Sequence, residues 1–397
     1  MPISVFDTRL RISRMSRPIR TASCLLLAAL AAPFLALPFL GAAPALAQSF
    51  DSSAGPLRVV TVARGLEHPW SLAFLPSGRM LITERPGRLR IVTRNGGLGA
   101  PVRGVPRVAA RGQGGLLDVV TDTDFARNRT IFLSYSEPGA GGAGTAVARA
   151  RLDGNRLADL KVIFRMVPKS GGGRHFGSRI VIARDGTLFV TLGERGERRR
   201  TQDTSIHRGQ VIRIGKDGSI PQDNPFVGRT GFRPEIWSYG HRNPQGAALH
   251  PATGQLWIHE HGARGGDEVN VPEPGRNYGW PVIAYGRHYW GTRIGEGTHK
   301  PGLEQPVHYW DPSIAPSGLA FVTGPVFESW RGDMLVGALS FRMLVRLRFD
   351  GTRLVREERL LEELDERIRD VRIGPRGYIW LLTDSDDGRV LRVEPAR

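Results

Sequence analysis

Six times along the chain a short apolar run is followed by a polar turn and then by a second run that is apolar or alternates. The pieces are WSLAFLPSGRMLITE (70–84), GGLLDVVTDTDFARNRTIFLSY (114–135), GSRIVIARDGTLFVTLGE (177–194), QGAALHPATGQLWIHE (245–260), SGLAFVTGPVFESWRGDMLVGAL (317–339) and RDVRIGPRGYIWLLTD (369–384). Alternation and short apolar runs are strand signals, and the Gly, Pro, Asp or Asn between them is hairpin chemistry. Self-similarity at long period marks a repeat architecture. Residues 48–397 divide into six units of about 58, enough for a four-stranded sheet with its loops. A ring of such sheets leaves only short edges exposed. The pattern predicts an all-β fold: a single six-bladed β-propeller with four-stranded antiparallel blades. LRVVTVA (57–63) is placed to pair with the last sheet and close the ring. Two packed β-sandwiches are the competing arrangement. The only helical periodicity is a short stripe near 356–366, so an all-α fold is excluded.

The first strand of each propeller blade lines the central channel, so residues at its start face one channel mouth. Those positions are Glu67, His68 and Trp70; Gln113; Arg174 and His175; Arg242, Asn243 and Gln245; Trp310 and Ser317; Arg367 and Arg369. Arginines, amides and a histidine around one concavity suit a planar polycarboxylate, because guanidinium forks match carboxylates. A bare metal site would ask for carboxylates instead. His175 is the best candidate base, since imidazole titrates near neutrality.

Composition adds a leader and a charge. Arg9, Arg11, Arg14, Arg17 and Arg20 precede an apolar run from Cys24 to Leu40, and Ala45-Leu46-Ala47 reads as a cleavage site. Residues 1–47 are therefore expected to be a cleaved signal peptide, giving a periplasmic or secreted protein without stable membrane insertion. The sole cysteine, Cys24, lies inside it, so no disulfide is expected in the mature chain. The leader holds five arginines and one aspartate, so its loss removes four of the seventeen net positive charges and leaves +13. A basic helix or aromatic-basic sheet motif is missing, which argues against nucleic acid. An anionic small ligand or cell surface suits the charge better.

The stretch 259–270 offers His259 and His261, which alternation puts on one face without a third ligand. Calcium held by Asp267 or Glu268 with carbonyls freed by Gly262, Gly265 and Gly266 is the better reading, completed by RNYGWP (276–281). The cluster Arg195, Arg198, Arg199 and Arg200 reads as a solvated loop. No nucleophile elbow, P-loop, GxGxxG turn or HExxH occurs.

GQGGLLDV (112–119), HFGSRIVIARDG (175–186), GHRNPQG (240–246), EHGARGGDEVN (260–270), NYGWP (277–281), WDPSIAPSG (310–318) and ERIRDVRIGP (366–375) occur in that order. Together they resemble the soluble aldose sugar dehydrogenases dependent on pyrroloquinoline quinone (PQQ), the glucose/sorbosone dehydrogenase family. The likeness runs from about residue 57 to 395. It implies PQQ over the central channel, with aldoses oxidised to lactones by hydride transfer and an external electron acceptor. His175 matches the catalytic base, Gln113 a substrate contact and Trp310 an aromatic wall. Arg242 and Asn243, with Arg367 and Arg369, match the residues that hold the cofactor. Gly262 and Ala263 match carbonyl ligands of the PQQ-bound calcium; Glu268 and the Tyr278 carbonyl resemble a second, structural calcium site.

This chain departs from the pattern in three places. Arg174 stands where some relatives carry an aspartate that orients the base. Ser340 or Arg342 falls where the glucose-specific branch has a cofactor-binding lysine. The insertions that accompany dimerisation in that branch are missing, which favours a monomer. Two other functions compete: a metal-dependent propeller lactonase, which needs several carboxylates at the mouth, and an exported binding protein without catalysis.

Overall fold

The structure is a computed structural model and describes residues 48–396. The expected signal peptide lies outside the described residues. Six antiparallel sheets form, one for each repeat. Blade 1 runs Pro69–Phe74, Met80–Glu84, Arg88–Val92, Leu98–Pro101, and blade 2 runs Leu116–Thr121, Thr130–Gly139, Gly142–Asp153, Arg156–Arg165. Blade 3 is Gly177–Ile182, Leu188–Leu192, Gln210–Ile214, Ile236–Tyr239; blade 4 is Pro244–Leu249, Leu256–Glu260, Asp267–Asn270, His308–Trp310. Blade 5 is Pro316–Phe321, Met334–Ala338, Leu344–Asp350, Arg353–Leu360. Blade 6 joins Ile368–Ile373, Ile379–Thr383 and Gly388–Pro395 to Leu57–Leu66 from the other end of the chain, with Ser49–Phe50 outside it. Leu57 pairs with Pro395 and Thr61 with Leu391, so the ring closes as the sequence predicts.

A blade is apolar on both faces, so each must be covered by a neighbour. Six clusters do this, one per interface. Leu81 and Leu89 of blade 1 meet Val119 and Leu133 of blade 2. Phe132 and Val147 meet Ile180 and Val190 of blade 3, and Phe189 and Val211 meet Ala247 and Ile258 of blade 4. Trp257 and Val269 pack on Leu319 and Val336, Leu335 and Leu344 on Val371 and Leu381, and Leu72 and Ile82 on Leu382 and Val390. The helical stripe near 356–366 is a correction: Arg353–Leu360 is the outer strand of blade 5, followed by one 3-10 turn, Glu362–Leu364. Pairing with Leu344–Asp350 overrides its local helical pattern. Among the described residues no helix is long and apolar enough to cross a membrane.

The centre of the ring is charged. Arg179 of blade 3 bonds Asp118 of blade 2 at 3.2 Å and Asp370 of blade 6 at 3.1 Å. Arg372 bonds the same two carboxylates at 3.0 and 2.8 Å. Ser71 of blade 1 donates to Asp118 at 2.5 Å, and Trp70 lies 4.3 Å beneath the Arg179 guanidinium. Four blades are thereby tied through one buried ionic knot.

Candidate active site

Every inner strand carries a register shift against its neighbour at its start: between Pro69 and Ser71, Leu116 and Val119, Gly177 and Ile180, Pro244 and Gly246, Pro316 and Leu319, and Ile368 and Asp370. A bulge turns side chains out of the pleat. Here it turns Trp70, Leu117, Gln245 and Arg369 into the wall of one cavity of about 320 Å3, shared with Arg85, Gln113, Arg367 and Asp384. Arg369 bonds Asp384 at 2.8 Å and Arg367 does so at 3.4 Å. Burial raises the Asp384 carboxyl, but the charge and hydrogen bond of Arg369 win and hold it well below the usual carboxylate range. Three guanidinium groups thus face a single carboxylate, an unbalanced positive charge that favours an anion.

A second cavity of about 530 Å3 shares Gln113 with the first and is lined by Arg174, His175, Glu194, Arg242 and Trp280. His175 has φ 58, left-handed backbone that few non-glycine residues adopt. Its N–H is fixed by the Gln113 side-chain oxygen at 2.7 Å. The chain at Gly193 passes so close that a Cβ there would lie 2.1 Å from the His175 carbonyl oxygen. The imidazole is buried, and its Nδ1 makes a short hydrogen bond to Glu194 Oε1. Nδ1 is therefore the protonated nitrogen and Nε2 the free acceptor. Burial lowers the imidazole pKa, Glu194 opposes this, and Arg242 and Arg174 add to the lowering. A neutral base facing a cavity results.

Most predicted residues converge. Gln113, Arg367 and Arg369 line the first cavity, and His175 and Arg242 the second. Arg242 donates from Nη1 to the His261 carbonyl at 3.0 Å and lies over the Trp280 ring. Asn243 is one layer below: wholly buried, its Oδ1 accepts from the Gly177 N–H at 3.1 Å and its Nδ2 has no partner. Ser340, rather than Arg342, reaches the first cavity, while Arg342 pairs with Asp365.

Two readings need correction. Trp310 does not line either cavity: it ends the outer strand of blade 4, packed with Trp257 and Val269, and its indole donates to Glu357 at 3.1 Å. The inner strand of blade 5 begins only at Pro316, six residues later. Arg195 is not solvated. It is buried against Phe176, 3.4 Å from its ring centre, and its guanidinium donates to the Gly172 and Arg174 carbonyls, bracing the turn that carries His175. Burial and Arg208 push its pKa down to about 10.

The segment 260–278 forms a narrow cleft lined by Glu260, Gly262, Ala263, Glu268 and Tyr278. Asp267 is committed to holding the loop: it accepts from Gly262 N at 2.8 Å, Ser313 Oγ at 2.7 Å and Ala315 N at 2.9 Å. Glu268 has no cationic neighbour. Burial, with the Glu260 and Asp267 carboxylates, pushes its pKa up to about 8. Beside it the buried Asn270 Oδ1 lacks a partner. That amide donates its Nδ2 to Glu268 and Glu260 at 3.2 Å each, and two carboxylates in a cleft where Glu268 has no cation are hard-oxygen donors of the kind that suits calcium. Among the described residues no group of three His, Cys, Asp or Glu side chains is arranged to hold a metal, so any such ion must lean on carbonyls.

Sequence reasoning missed Glu194, Arg85, Asp384 and the Asp118–Arg179–Asp370 knot. Asp118 and Arg179 of the knot have a readable signal, each a lone charge inside an apolar inner strand. Glu194, Arg85 and Asp384 share another: each lies just past the end of a second strand, at the same channel mouth.

A propeller whose mouth joins a histidine–carboxylate pair to an arginine-rich cavity has the equipment of an enzyme acting with an anionic cofactor. The chain matches the Glucose / Sorbosone dehydrogenase family over residues 66–392, belongs to that family, and is an oxidoreductase. It is 48% identical over 336 residues to the aldose sugar dehydrogenase YliI of Escherichia coli (strain K12), covering 83% of this chain and 91% of that one. The crystal structure of the soluble aldose sugar dehydrogenase of Escherichia coli in its apo-form superposes with TM-score 0.84 at 46% identity, over 86% of this chain and 100% of that one. The PQQ-bound aldose sugar dehydrogenase of Streptomyces coelicolor gives TM-score 0.71 at 30% identity, over 85% of this chain and 98% of that one.

Proposed function

We propose that this protein oxidises aldoses at the anomeric carbon to lactones, with PQQ and calcium as cofactors and His175 as general base. The observation that carries the reading is the free Nε2 of His175 in a cavity that shares Gln113 with the arginine-lined one. Arg367, Arg369 and Arg242, with Gln245 and Asn243 beneath, would hold the planar tricarboxylate, and the excess of guanidinium groups supports that fit. When bound, PQQ supplies the quinone that takes up the hydride. The chain's own part is positional and protonic. Glu194 keeps Nδ1–H pointed away, so Nε2 receives the proton of the anomeric hydroxyl. Gln113 spends its oxygen on the His175 backbone, leaving its NH2 to donate to the sugar or cofactor. Carbonyls of Gly262 and Ala263 would serve the cofactor's calcium, and Glu268 with the Tyr278 carbonyl a structural ion.

The same reading makes residues 1–47 a cleaved export leader, and the enzyme a periplasmic or secreted monomer that passes electrons to an external acceptor. A metal-dependent lactonase would need a carboxylate cluster, and the cavity with three arginines offers only Asp384. Adding PQQ and calcium to the purified protein and following aldose-dependent dye reduction tests the proposal. No reduction with any aldose would remove it.

A further inference from the structure

The turn that carries His175 has little stiffness of its own. Gly171, Gly172 and Gly173 lead into Arg174 and His175, and glycine has the most conformational freedom to lose. Two residues from outside hold it. Gln113 takes one flank: its N–H donates to the Gly173 carbonyl at 2.7 Å, while its side-chain oxygen accepts the His175 N–H. Arg195 takes the other. Its guanidinium forks to the Gly172 and Arg174 carbonyls and reaches that of Ala143 at 3.4 Å, and its own N–H donates to the His175 carbonyl at 3.2 Å.

Arg195 stands there against three costs. It is only 1% exposed, and among the described residues its guanidinium donates to main-chain carbonyls alone, so a cation is buried without a bonded carboxylate. Its Nε has no partner at all. Its backbone is left-handed, φ 61°, a conformation that glycine or asparagine adopts more easily. Stability alone would favour another residue, and strain kept in place beside a site points to function. The preceding residue is Glu194, so consecutive side chains grip one histidine: Glu194 the ring, Arg195 the main chain.

We infer that Arg195 is the positioning residue of the base: by fixing the carbonyls of the glycine turn it holds His175 in its left-handed conformation and so presents Nε2 to the cavity. A planar guanidinium suits the task, because its fork meets two carbonyls in a fixed geometry that the point charge of a lysine does not reproduce. The consequence for rate is large, since a reacting group displaced by about 1 Å can cost ~100-fold. Arg195 touches neither sugar nor cofactor in this role; it acts through His175. The inference rests on the reading of His175 as the general base given above.

The test reads the imidazole directly. Held in a short hydrogen bond to Glu194, the Nδ1–H of His175 should give a far-downfield proton resonance, assigned by its loss in His175→Gln. Arg195→Asn, which tolerates the left-handed backbone but lacks the fork, is expected to broaden or abolish that resonance in the folded protein, with or without PQQ. On protein loaded with PQQ and calcium it should cut kcat about ten- to hundredfold while KM and PQQ affinity hold. Arg195→Lys keeps the charge and the stem over Phe176, so it decides the matter should the asparagine variant not fold; it should fall between wild type and Arg195→Asn in both readouts. With an active wild type, either readout unchanged in both variants overturns the inference, and so does a wild type without the resonance. If the wild type oxidises no aldose, yet Arg195→Asn still loses the resonance, the oxidation reading falls and the hold of Arg195 on the imidazole stands.

Discussion

Glu194, just past the end of the neighbouring strand, accepts the Nδ1–H of His175 and so turns the imidazole's Nε2 towards the cavity. Position 174 is an arginine whose charge lowers the imidazole pKa, so the carboxylate at 194 alone works in the opposite direction. The orientation of the ring thus rests on Glu194, and its protonation on the balance between that carboxylate, burial and the two arginines.

The pH–rate profile should record this. Burial lowers the His175 pKa, and a base must be deprotonated to act, so the acidic limb should lie below the ordinary histidine value of about 6.5. Glu194→Gln should move that limb to still lower pH, because the raising influence is gone, while cutting the plateau rate about tenfold or more. A limb that moves upward would contradict the pairing.

His175→Gln should fold and bind PQQ while losing at least ~100-fold in turnover, the usual worth of general-base catalysis. Single-turnover reduction of bound PQQ by excess aldose isolates the step. A near-normal rate there would make His175 a packing residue.

Arg242→Ala and Arg369→Ala should each weaken PQQ binding by roughly 1.5–3 kcal/mol, the range for hydrogen bonds to charged groups. Arg369→Ala also releases Asp384 from its principal cation, so it should be the worse of the two. Equilibrium titration of the apo-protein with PQQ measures both, and wild-type affinity in either variant would take that arginine out of the site.

Calcium should raise the melting temperature of the apo-protein, since a ligand bound only to the folded state stabilises it by mass action. Glu268→Gln should abolish most of the rise, because the uncompensated carboxylate is the charged donor of the cleft. An identical calcium response in the variant would move the ion elsewhere.

Arg179→Met should destabilise the fold by about 3–5 kcal/mol, the cost of stranding a buried partner. Asp118 and Asp370 would then share Arg372 alone. Denaturant midpoints compare the variants, and a change below about 1 kcal/mol would show the knot to be dispensable.

The blades were legible because their pattern is local: an apolar run, a turn and a second run fix a hairpin without reference to the rest of the chain. The site was legible only where it falls on those runs. Arg369 and Gln245 sit at the starts of inner strands, and Gln113 and His175 just before them, so blade register alone located them. Trp310 failed for the same reason. The sequence WDPSIAPSG holds a five-residue gap, Asp311 to Ala315, between two strands, and no period shows whether a residue beside it belongs to the strand behind or ahead. Arg85 meets Arg369 only through ring geometry, 284 positions away, whereas Asp384 faces it across the blade 6 hairpin.

The joint in blade 6 also sets an order of assembly. Blades 1 to 5 each need only their own stretch of chain, but Leu57–Leu66 cannot be paired until Gly388–Pro395 has been made and brought back. Contacts across so long a loop come late, because chain entropy must be lost before they form. Arg367 and Arg369 stand beside and on the inner strand of that last blade, so the arginine-lined cavity is walled in part by the blade that the seam completes. The seam that closes the ring and these two arginines of the cavity thus belong to one and the same blade.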